Sequence, residues 1–389
     1  MKGVSQLIDA MPRSGIREVM DLAATLDGVI HLEVGEPSFN TPAHIIEAAF
    51  ADARAGYTKY TPNAGLPSLR RAIAERYAAA WGRPVDPGQV LVAAGGVNAL
   101  AATVLALAEE GDEVLVPDPG WPNYTSIVTL SRARPVPYVL RPERGYLPDP
   151  ADLAARITPR TKALILNNPS NPTGAVFPAA TVEAVLRLAT ARDLYLISDE
   201  IYEALVFDGV HTPAARYDDG RVITISGCSK TYAMTGWRVG YAIAAPALVP
   251  LLGKVQEPLV SCASAVSQRA AEAALRGPQD CVAEMRAAYG RRRDLARDAL
   301  GPAGLLPTVP HGAFYALVDL RGLGRPSRAL ARALLEEERV ATAPGDTFGL
   351  AAEGMVRISL AAPDDDIAEG CRRIRGFAER HAGPDRRNL

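Results

Sequence analysis

The sequence is poor in cysteine and histidine, and it has almost no excess of charge. Its 389 residues include five histidines and four cysteines, and the formal net charge is −2. The cysteines form no CxxC pair and no metal-ligand spacing, so we expect free thiols and no metal site: Cys228, Cys262, Cys281 and Cys371. The balanced charge gives no reason to expect nucleic acid or an anionic membrane as a partner.

The sequence also lacks any long apolar run. The first residues, MKGVSQLIDAMPRSG, contain no apolar core of the kind found in secretory signals. The longest apolar run, VNALAATVLALA at 97–108, is too short to cross a bilayer and is typical of a buried helix. From the reduced cysteines and these two absences, we expect a cytoplasmic protein.

Apolar strands alternate with helices through the middle of the chain. Stretches such as TKALILNN, LYLISDE and RVITISG are continuous apolar strands, and helical patterns separate them. This order is typical of an α/β fold with a mostly parallel sheet covered on both faces. After about residue 290 the pattern changes to that of a smaller α+β unit. We therefore predict an N-terminal segment at 1–44 that packs on the small domain and the active site, a large domain at 45–290 and a small domain at 291–389.

Four polar or glycine signals each follow an apolar strand. They are the pair Gly95 and Gly96, then Asn171, Asp199 and Lys230. Ligands of open parallel sheets bind outside the carboxyl ends of the strands. The four signals are therefore expected to meet in one crevice.

Lys230 is the only lysine in the segment SGCSKTYAMTGWRVG, residues 226–240. Most lysines are solvated surface charges. Here a strand runs directly into the lysine, which places it at a sheet edge, where a lysine with a lowered pKa can form a Schiff base. Pyridoxal phosphate is the commonest cofactor with a carbonyl for that chemistry.

Other residues match the needs of the ring of this cofactor. Asp199 suits the pyridine nitrogen, which must stay protonated for the ring to accept electrons. Asn171 and Tyr202 can donate to the phenolic oxygen, and Trp121 in PDPGWPNY can stack on the ring. Taken singly, each has a structural explanation as well: a cap for Asp199, a turn residue for Asn171 and a core residue for Trp121.

The phosphate of the cofactor requires backbone N–H groups and a cation. Gly95 and Gly96, between a strand and a helix, allow the backbone to approach a phosphate. Arg238 can bind it in bidentate fashion, and Ser229 can add a hydroxyl group. The glycine pair by itself is weak evidence.

With these motifs in place, the chain resembles the class I/II aminotransferases, which are fold type I pyridoxal phosphate enzymes. It is similar to the subgroup that includes thermophilic bacterial aspartate aminotransferases. The similarity runs nearly end to end, through VGEPSFNTP, YTKYTPNAGLPSLR, NNPSNPTGAVFP, LISDEIYEAL, SKTYAMTGWRVGY and GMVRISLA. The combination of SDEIY with SKTYAMTGWRVG is highly specific. The resemblance implies a seven-stranded sheet in the large domain.

The resemblance also implies roles for particular residues. Lys230, Asp199 and Tyr202 would be catalytic, and the phosphate would be held by Ser229, Arg238, Gly95, Gly96 and Val97. Arg357 would bind the substrate α-carboxylate with Asn171 and the backbone of Gly35, and Trp121 would contact both ring and substrate. Tyr60 would reach the phosphate of a neighbouring subunit, which implies a homodimer.

By this resemblance the enzyme moves an amino group from an L-amino acid to a 2-oxo acid in two half-reactions. Two departures bear on its details. Gly227 stands where many relatives have a phosphate-binding serine, and Val97 stands where aspartate-selective relatives often have a lysine. With Ile16 as a further apolar wall, we expect a neutral donor with a hydrophobic or aromatic side chain. Arg13 and Arg17 flank Ile16 and can be either solvated charges or ligands for an acidic acceptor.

Three alternatives remain open at this stage. The enzyme can be an aspartate aminotransferase, or it can use the same cofactor chemistry for elimination or cyclisation, as fold type I lyases do. A regulator that binds pyridoxal phosphate without catalysis is disfavoured, because the aminotransferase pattern takes up the chain.

Overall fold

The structure is a computed structural model that describes residues 3–217 and 220–382. Twelve strands are formed in these ranges: β1 Ile30–His31, β2 Val90–Ala93, β3 Glu113–Asp118, β4 Arg134–Val139, β5 Thr161–Asn167, β6 Tyr195–Asp199, β7 Val222–Gly227, β8 Gly240–Ile243, β9 Tyr315–Asp319, β10 Val340–Ala341, β11 Ala343–Pro344 and β12 Met355–Ser359. The α-helices of the same ranges are α1 Gln6–Asp9, α2 Gly15–Ala23, α3 Ala43–Arg54, α4 Pro67–Trp81, α5 Gly96–Leu107, α6 Pro122–Leu130, α7 Pro150–Arg156, α8 Ala179–Ala191, α9 Val249–Val260, α10 Ala265–Arg276, α11 Asp280–Leu300, α12 Ser327–Glu338 and α13 Asp364–His381.

A seven-stranded sheet forms the centre of the molecule. Its order is β2-β8-β7-β6-β5-β3-β4, and every neighbouring pair is parallel except those that involve β8. The prediction of a mostly parallel, seven-stranded sheet is therefore confirmed. No helix in the described ranges is long and apolar enough to cross a membrane.

Both faces of this sheet are covered, as the continuous apolar strands predict. Successive residues of β5 enter two different hydrophobic clusters. Leu164 and Leu166 pack in one cluster with Val182 and Val185 of α8, whereas Ile165 packs in the other with residues of α5 and α6. Because strand side chains alternate between faces, a strand apolar at every position must have a layer on each side.

The carboxyl ends of β2, β5, β6 and β7 lie at the same edge of the sheet. Asn167 pairs with Asp199 across β5 and β6, and Asp199 pairs with Ile225 of β7. Gly240 begins β8 and pairs with both Ala93 of β2 and Gly227 of β7. The segments after these strands, which carry the predicted site residues, therefore come together.

Two smaller sheets lie outside the central one. Strands β11, β12 and β9 form an antiparallel sheet, and β1 pairs in parallel with β10. The pairing of Ile30 with Val340 joins the N-terminal segment to the C-terminal third of the chain. The division into 1–44, 45–290 and 291–389 stays a prediction, and residues 383–389 of its last part lie outside the described residues.

Two glycines allow the backbone to pack closely beside the site. A Cβ atom on Gly240 would lie 2.4 Å from the backbone nitrogen of Gly96, and one on Gly227 would lie 2.9 Å from the Cα atom of Gly240. A serine at position 227 would have to move the β7–β8 backbone. The close approach of these strands explains why glycine stands there.

We predict that Gly240→Ala lowers the free energy of unfolding by about 2–3 kcal/mol, because the added methyl group overpacks the rigid backbone of Gly95 and Gly96 at the start of α5. The control is Gly301→Ala, since a Cβ atom there meets nothing within 4 Å. That variant should stay within about 0.5 kcal/mol of the unaltered protein. Urea unfolding of the three proteins measures both effects, and equal stabilities for the two variants would contradict the packing explanation.

Candidate active site

A cavity of about 300 Å³ opens at the carboxyl edge of the central sheet. Ligand pockets of proteins start at this size. Nine of the residues singled out in the sequence line it: Gly96, Val97, Trp121, Asn171, Asp199, Tyr202, Ser229, Lys230 and Arg238. Asn123, Tyr124, Asn167, Ile201, Ile225 and Thr235 complete the wall. The crevice expected from the strand ends is thus present in the fold.

Lys230 follows β7 directly and reaches into the cavity. Its Nζ atom donates a hydrogen bond of 2.6 Å to the backbone oxygen of Gly35. Burial lowers the pKa of Lys230 to about 8, with Glu36 acting in the opposite direction and Arg357 and Arg238 lowering it further. A large fraction of the side chain is therefore a neutral amine near pH 8, and a neutral amine is the form that attacks a carbonyl.

Asp199 ends β6 and is 5% exposed. The hydroxyl group of Tyr124 donates to its Oδ2 atom at 2.6 Å, and the backbone N–H of Ile201 donates to Oδ1 at 3.2 Å. Burial raises the pKa of Asp199 to about 6, and these two hydrogen bonds oppose the rise. Within residues 3–217 and 220–382 no salt bridge to Asp199 is formed. A cationic group of a ligand, such as a protonated pyridine nitrogen, would fit this carboxylate.

Tyr124 was not foreseen from the sequence. It is buried on α6, three residues after Trp121, and the two rings pack edge to face with centroids 5.5 Å apart. One helical turn separates the residues, so they lie on the same side of α6. The spacing in GWPNY carried this signal, but a buried tyrosine is commonly part of a core.

Tyr202 and Asn171 lie beside the carboxylate. The Tyr202 hydroxyl group is 3.0 Å from the hydroxyl group of Tyr315, and burial raises the pKa of Tyr202 well above its usual value. Its hydroxyl group is therefore protonated and able to donate. The backbone N–H of Asn171 donates to Oδ1 of Asn167 at 2.8 Å, which fixes the turn after β5. These are the donors that a phenolate oxygen would need.

The opposite end of the cavity is suited to a phosphate. Gly95 has φ +89° and precedes α5, whose first N–H groups have no preceding carbonyl partner within the helix. A Cβ atom on Gly95 would lie 2.6 Å from Nη2 of Arg238. The guanidinium group is held by a 2.8 Å hydrogen bond from Nη1 to the backbone oxygen of Thr235. A helix N-terminus and an arginine thus face the same space, with Ser229 beside them.

Arg357 on β12 lies behind Asn171. It is 2% exposed and donates to Oδ1 of Asn171 at 3.2 Å and to the backbone oxygen of Glu33 at 2.5 Å. Its guanidinium carbon lies 4.3 Å from the ring centre of Tyr315 and 4.7 Å from that of Phe348. Its Nε atom has no hydrogen-bond partner, and no carboxylate of the described chain forms a salt bridge with it.

A buried guanidinium without a salt bridge is costly. Burial accordingly lowers the pKa of Arg357, and the charge of Glu33 opposes this shift. Of the five N–H groups of the guanidinium, three are not used for Asn171 and Glu33, and they suit the carboxylate of a ligand. Tyr315, which was also missed in the sequence, supports both this guanidinium group and the Tyr202 hydroxyl group.

Five residues predicted for the site are not among those that line the cavity: Gly95 and Arg357, described above, and Gly35, Ile16 and Tyr60. Gly35 lies at its border, where it accepts from Lys230. Ile16 is half-buried on α2, and Tyr60 is 92% exposed. Arg13 and Arg17 are exposed, and Arg13 lies 3.6 Å from Asp21. The roles given to Ile16 and Tyr60 stay predictions.

One group outside the cavity has the geometry of a metal site. The ligand atoms of Glu200, Glu203 and His211 lie within 4.8 Å of one another. Protein donors already contact both carboxylates: Ser198 and His211 contact Glu200 at 2.7 and 2.9 Å, and Tyr77 contacts Glu203 at 2.8 Å. Because these contacts satisfy the carboxylates, we assign no metal to the group.

The cavity as a whole fits pyridoxal phosphate. It offers an amine for the aldehyde and a carboxylate for the ring nitrogen. Neutral donors are available for the phenolic oxygen. The N-terminus of α5 and the guanidinium group of Arg238 are available for the phosphate. The serine contact missing at Gly227 leaves Ser229 as the hydroxyl group near that terminus.

Comparison with known proteins points the same way. A model of the family described as aminotransferase class I and II matches residues 27–374. The chain is similar to aspartate/prephenate aminotransferase of Thermus thermophilus, with 40% identity over 96% of this chain and 98% of that protein. It is also 40% identical to arginine–pyruvate transaminase of Pseudomonas aeruginosa, over 89% of each chain. A solved structure of Thermus thermophilus aspartate aminotransferase with maleate matches with a TM-score of 0.92 and 39% identity, over 97% of this chain and 99% of that one.

We predict that the reactivity of Lys230 levels off near pH 8 in protein freed of cofactor. Since the pKa is lowered to about 8, the neutral fraction rises about tenfold per pH unit below that value and saturates above it. Reductive methylation with formaldehyde, followed by peptide mass spectrometry, measures the midpoint. The same protein in denaturant is the control, and its midpoint should lie about two units higher. Glu36→Gln should lower the midpoint further, because Glu36 raises this pKa. Coincident midpoints in the folded and denatured protein would contradict the assignment.

Proposed function

The chain belongs to the class I and II aminotransferase family and transfers amino groups with pyridoxal phosphate, and on this basis we propose that its preferred donors are neutral L-amino acids with hydrophobic or aromatic side chains. The acceptor is a 2-oxo acid, and the two half-reactions follow each other at the same site. The other assignments in this section are part of the same proposal.

The observation that carries the donor assignment is the set of cations around the cavity. Lys230 and Arg238 are the only cationic side chains that line it within the described chain. Lys230 is assigned to the cofactor aldehyde and Arg238 to the phosphate, while Arg357 is assigned to the α-carboxylate. A donor with a second carboxylate would leave that group without a cation in a largely buried space, which is unfavourable. Val97, Trp121 and Ile201 provide apolar surface in its place.

Each assigned residue contributes a simple step. Bound pyridoxal phosphate supplies a carbonyl that links to amines and a protonated ring that accepts electrons from the α-carbon. Lys230 would hold the cofactor aldehyde through its amine, and the same amine, when free, would accept the proton from the α-carbon of the substrate and supply it again. Asp199 keeps the ring nitrogen protonated, and Tyr202 and Asn171 hold the phenolic oxygen. Arg357 orients the substrate so that its α-hydrogen faces the Lys230 amine.

The same residues bear on the alternatives, which are aspartate transamination, elimination and cyclisation. The names of two relatives with 40% identity cover aspartate, prephenate and arginine, so similarity alone does not select a donor. An aspartate aminotransferase would need a further cation. Arg13, which lines the neighbouring cavity, is a candidate for that cation. Elimination or cyclisation would need a leaving group on the substrate, which the protein side chains do not specify.

We predict that phenylalanine and leucine convert the enzyme to its amino form faster than aspartate does. In Val97→Lys, the ratio of aspartate to phenylalanine should rise about tenfold, which is the effect of one charge-assisted contact. Val97→Met is the matched control, because it adds similar length without charge. Stopped-flow absorbance of the cofactor with single amino acids measures each first half-reaction. The donor assignment is wrong if the unaltered enzyme reacts fastest with aspartate.

We also propose a homodimer in which Tyr60 completes the neighbouring phosphate site. Tyr60 is 92% exposed, although its hydroxyl group and ring would suit a phosphate and an interface. Phe50 and Tyr57, on the same stretch, are more than half exposed, as is Leu259 at the end of α9. Exposed apolar side chains of this kind support a partner surface. The four free thiols support a cytoplasmic location.

We predict that mixing two inactive or impaired variants restores activity. A hybrid of Lys230→Ala and Tyr60→Phe subunits has one site with Lys230 and a partner tyrosine, so it should regain about half the activity of an unaltered dimer. If Tyr60 served its own subunit, the hybrid would show no gain over the Tyr60→Phe dimer. Differently tagged subunits, co-purified and assayed, distinguish the two arrangements. A fully active monomer in sedimentation would rule out the shared site.

A further inference from the structure

The loop at 345–352 carries one wall of the Arg357 site. It consists of two short 3₁₀ turns, Gly345–Phe348 and Leu350–Ala352. Phe348 is 3% exposed, and the guanidinium carbon of Arg357 lies over its ring at 4.7 Å and over the Tyr315 ring at 4.3 Å. The position of this loop therefore determines the contact between the Phe348 ring and the guanidinium group of Arg357.

Two hydrogen bonds fasten this loop to the end of β3. The backbone N–H of Gly120 donates to the carbonyl oxygen of Phe348 at 2.8 Å. The backbone N–H of Ala351 donates to Oδ1 of Asp118 at 3.0 Å. One of these contacts is at Phe348 itself, and the other is three residues later in the loop. The loop is thus attached to the central sheet rather than only to its own sheet.

Asp118 is poorly explained as a structural residue. It is 8% exposed, and no salt bridge to it is formed by the described residues. Burial raises the pKa of Asp118, and the hydrogen bonds from Ala351 and Leu350 oppose this. A Cβ atom on Gly349 would lie 2.1 Å from its Oδ1 atom, so the loop backbone closes directly over the carboxyl group. The buried carboxyl group of Asp118 therefore holds the backbone of residues 349–351 in place.

We propose that Asp118 is a positioning residue for substrate-carboxylate binding, acting through Phe348 on Arg357. By fixing the loop backbone, Asp118 keeps the Phe348 ring in contact with the guanidinium group. The N–H groups that Arg357 has not used for Asn171 and Glu33 then stay directed at the ligand. This rests on the proposed function, in which Arg357 binds the α-carboxylate.

The same short segment also carries Trp121, three residues after Asp118 along the chain. Trp121 lines the cofactor cavity, while Asp118 and Gly120 hold the Phe348 loop. The segment 118–121 therefore connects the cofactor wall to the carboxylate site. A change in the position of this segment would therefore affect a substrate that contacts both the cofactor wall and the carboxylate site.

The test measures the binding of two ligands to the enzyme loaded with its cofactor. They are 3-phenylpropionate, which has a carboxylate, and 3-phenylpropanamide, which has the same shape without the charge. Both are titrated by the change in cofactor absorbance. Asp118→Ala should weaken 3-phenylpropionate about tenfold and the amide less than twofold. Asp118→Asn retains an oxygen that can accept from Ala351, so it should stay within about threefold of the unaltered enzyme.

A double-mutant cycle tests the route through Phe348. Phe348→Leu removes the aromatic face and should weaken 3-phenylpropionate by a similar factor. The double variant should be little worse than either single variant, because both remove the same support. Asp112→Ala is the matched control: it removes a carboxylate that accepts a 3.0 Å backbone hydrogen bond from Glu109 just before the other end of β3, and it should leave both ligands unaffected.

The outcomes separate the two assignments. If Arg357→Gln leaves 3-phenylpropionate binding unchanged, the carboxylate role of Arg357 is wrong. If Arg357→Gln weakens it but Asp118→Ala does not, or weakens both ligands equally, the role of Asp118 is wrong. Additive effects in the cycle overturn the route through Phe348. Should Asp118→Ala not fold, Asp118→Ser keeps a polar side chain that is too short to hold the Ala351 N–H group in the same way, and it should show the same selective loss of 3-phenylpropionate binding.

Discussion

Two opposite charges are buried near one cavity, neither of them in a salt bridge with a described residue, and the surrounding structure makes that burial tolerable. Within the described chain, Asp199 and Arg357 form no salt bridge, and burial shifts the pKa of each towards its neutral form. An isolated buried charge costs free energy comparable to the net stability of a whole domain. Here neutral groups offset the cost: a tyrosine hydroxyl and an N–H group for Asp199, carbonyl oxygens and aromatic faces for Arg357. Because these groups carry no net charge, both ions remain available to a ligand.

The groups that support these charges come from elements far apart in the chain. Tyr124 lies on α6 beside the central sheet, Tyr315 lies on β9 of the three-stranded sheet, and Phe348 lies on the loop before β12. Tyr315 serves two purposes, since its hydroxyl group contacts Tyr202 while its ring carries Arg357. The geometry of the site therefore depends on how the two sheets are placed relative to each other. A small shift between them would change the environment of both charges together.

The sequence predicted the central sheet and most of the cavity, because both follow from local patterns. Continuous apolar strands indicate a sheet covered on both faces, and parallel strands bring their ends to one edge, so Asn171, Asp199 and Lys230 had to meet. The supporting residues were not predictable in this way. Tyr124 and Tyr315 resemble ordinary buried aromatic residues, and the contact of Asp118 with Ala351 joins positions 233 residues apart. The pattern of apolar and polar residues within one strand or helix carries no information about such a contact. The roles of Ile16 and Tyr60 stay predictions, because neither residue lines the cavity.

The two-residue pairing of β1 with β10 has a consequence for the order in which the protein is made. Gly35, which accepts from Lys230, and Glu33, which accepts from Arg357, follow β1 closely and leave the ribosome long before the strand that pairs with β1. Their strand has no partner until Val340 and Ala341 have been synthesised, more than 300 residues later. A nascent chain can therefore complete the central sheet while its N-terminal segment still lacks its pairing strand. Synthesis of the last part of the chain would then close the site, so that an unfinished polypeptide does not present a complete one.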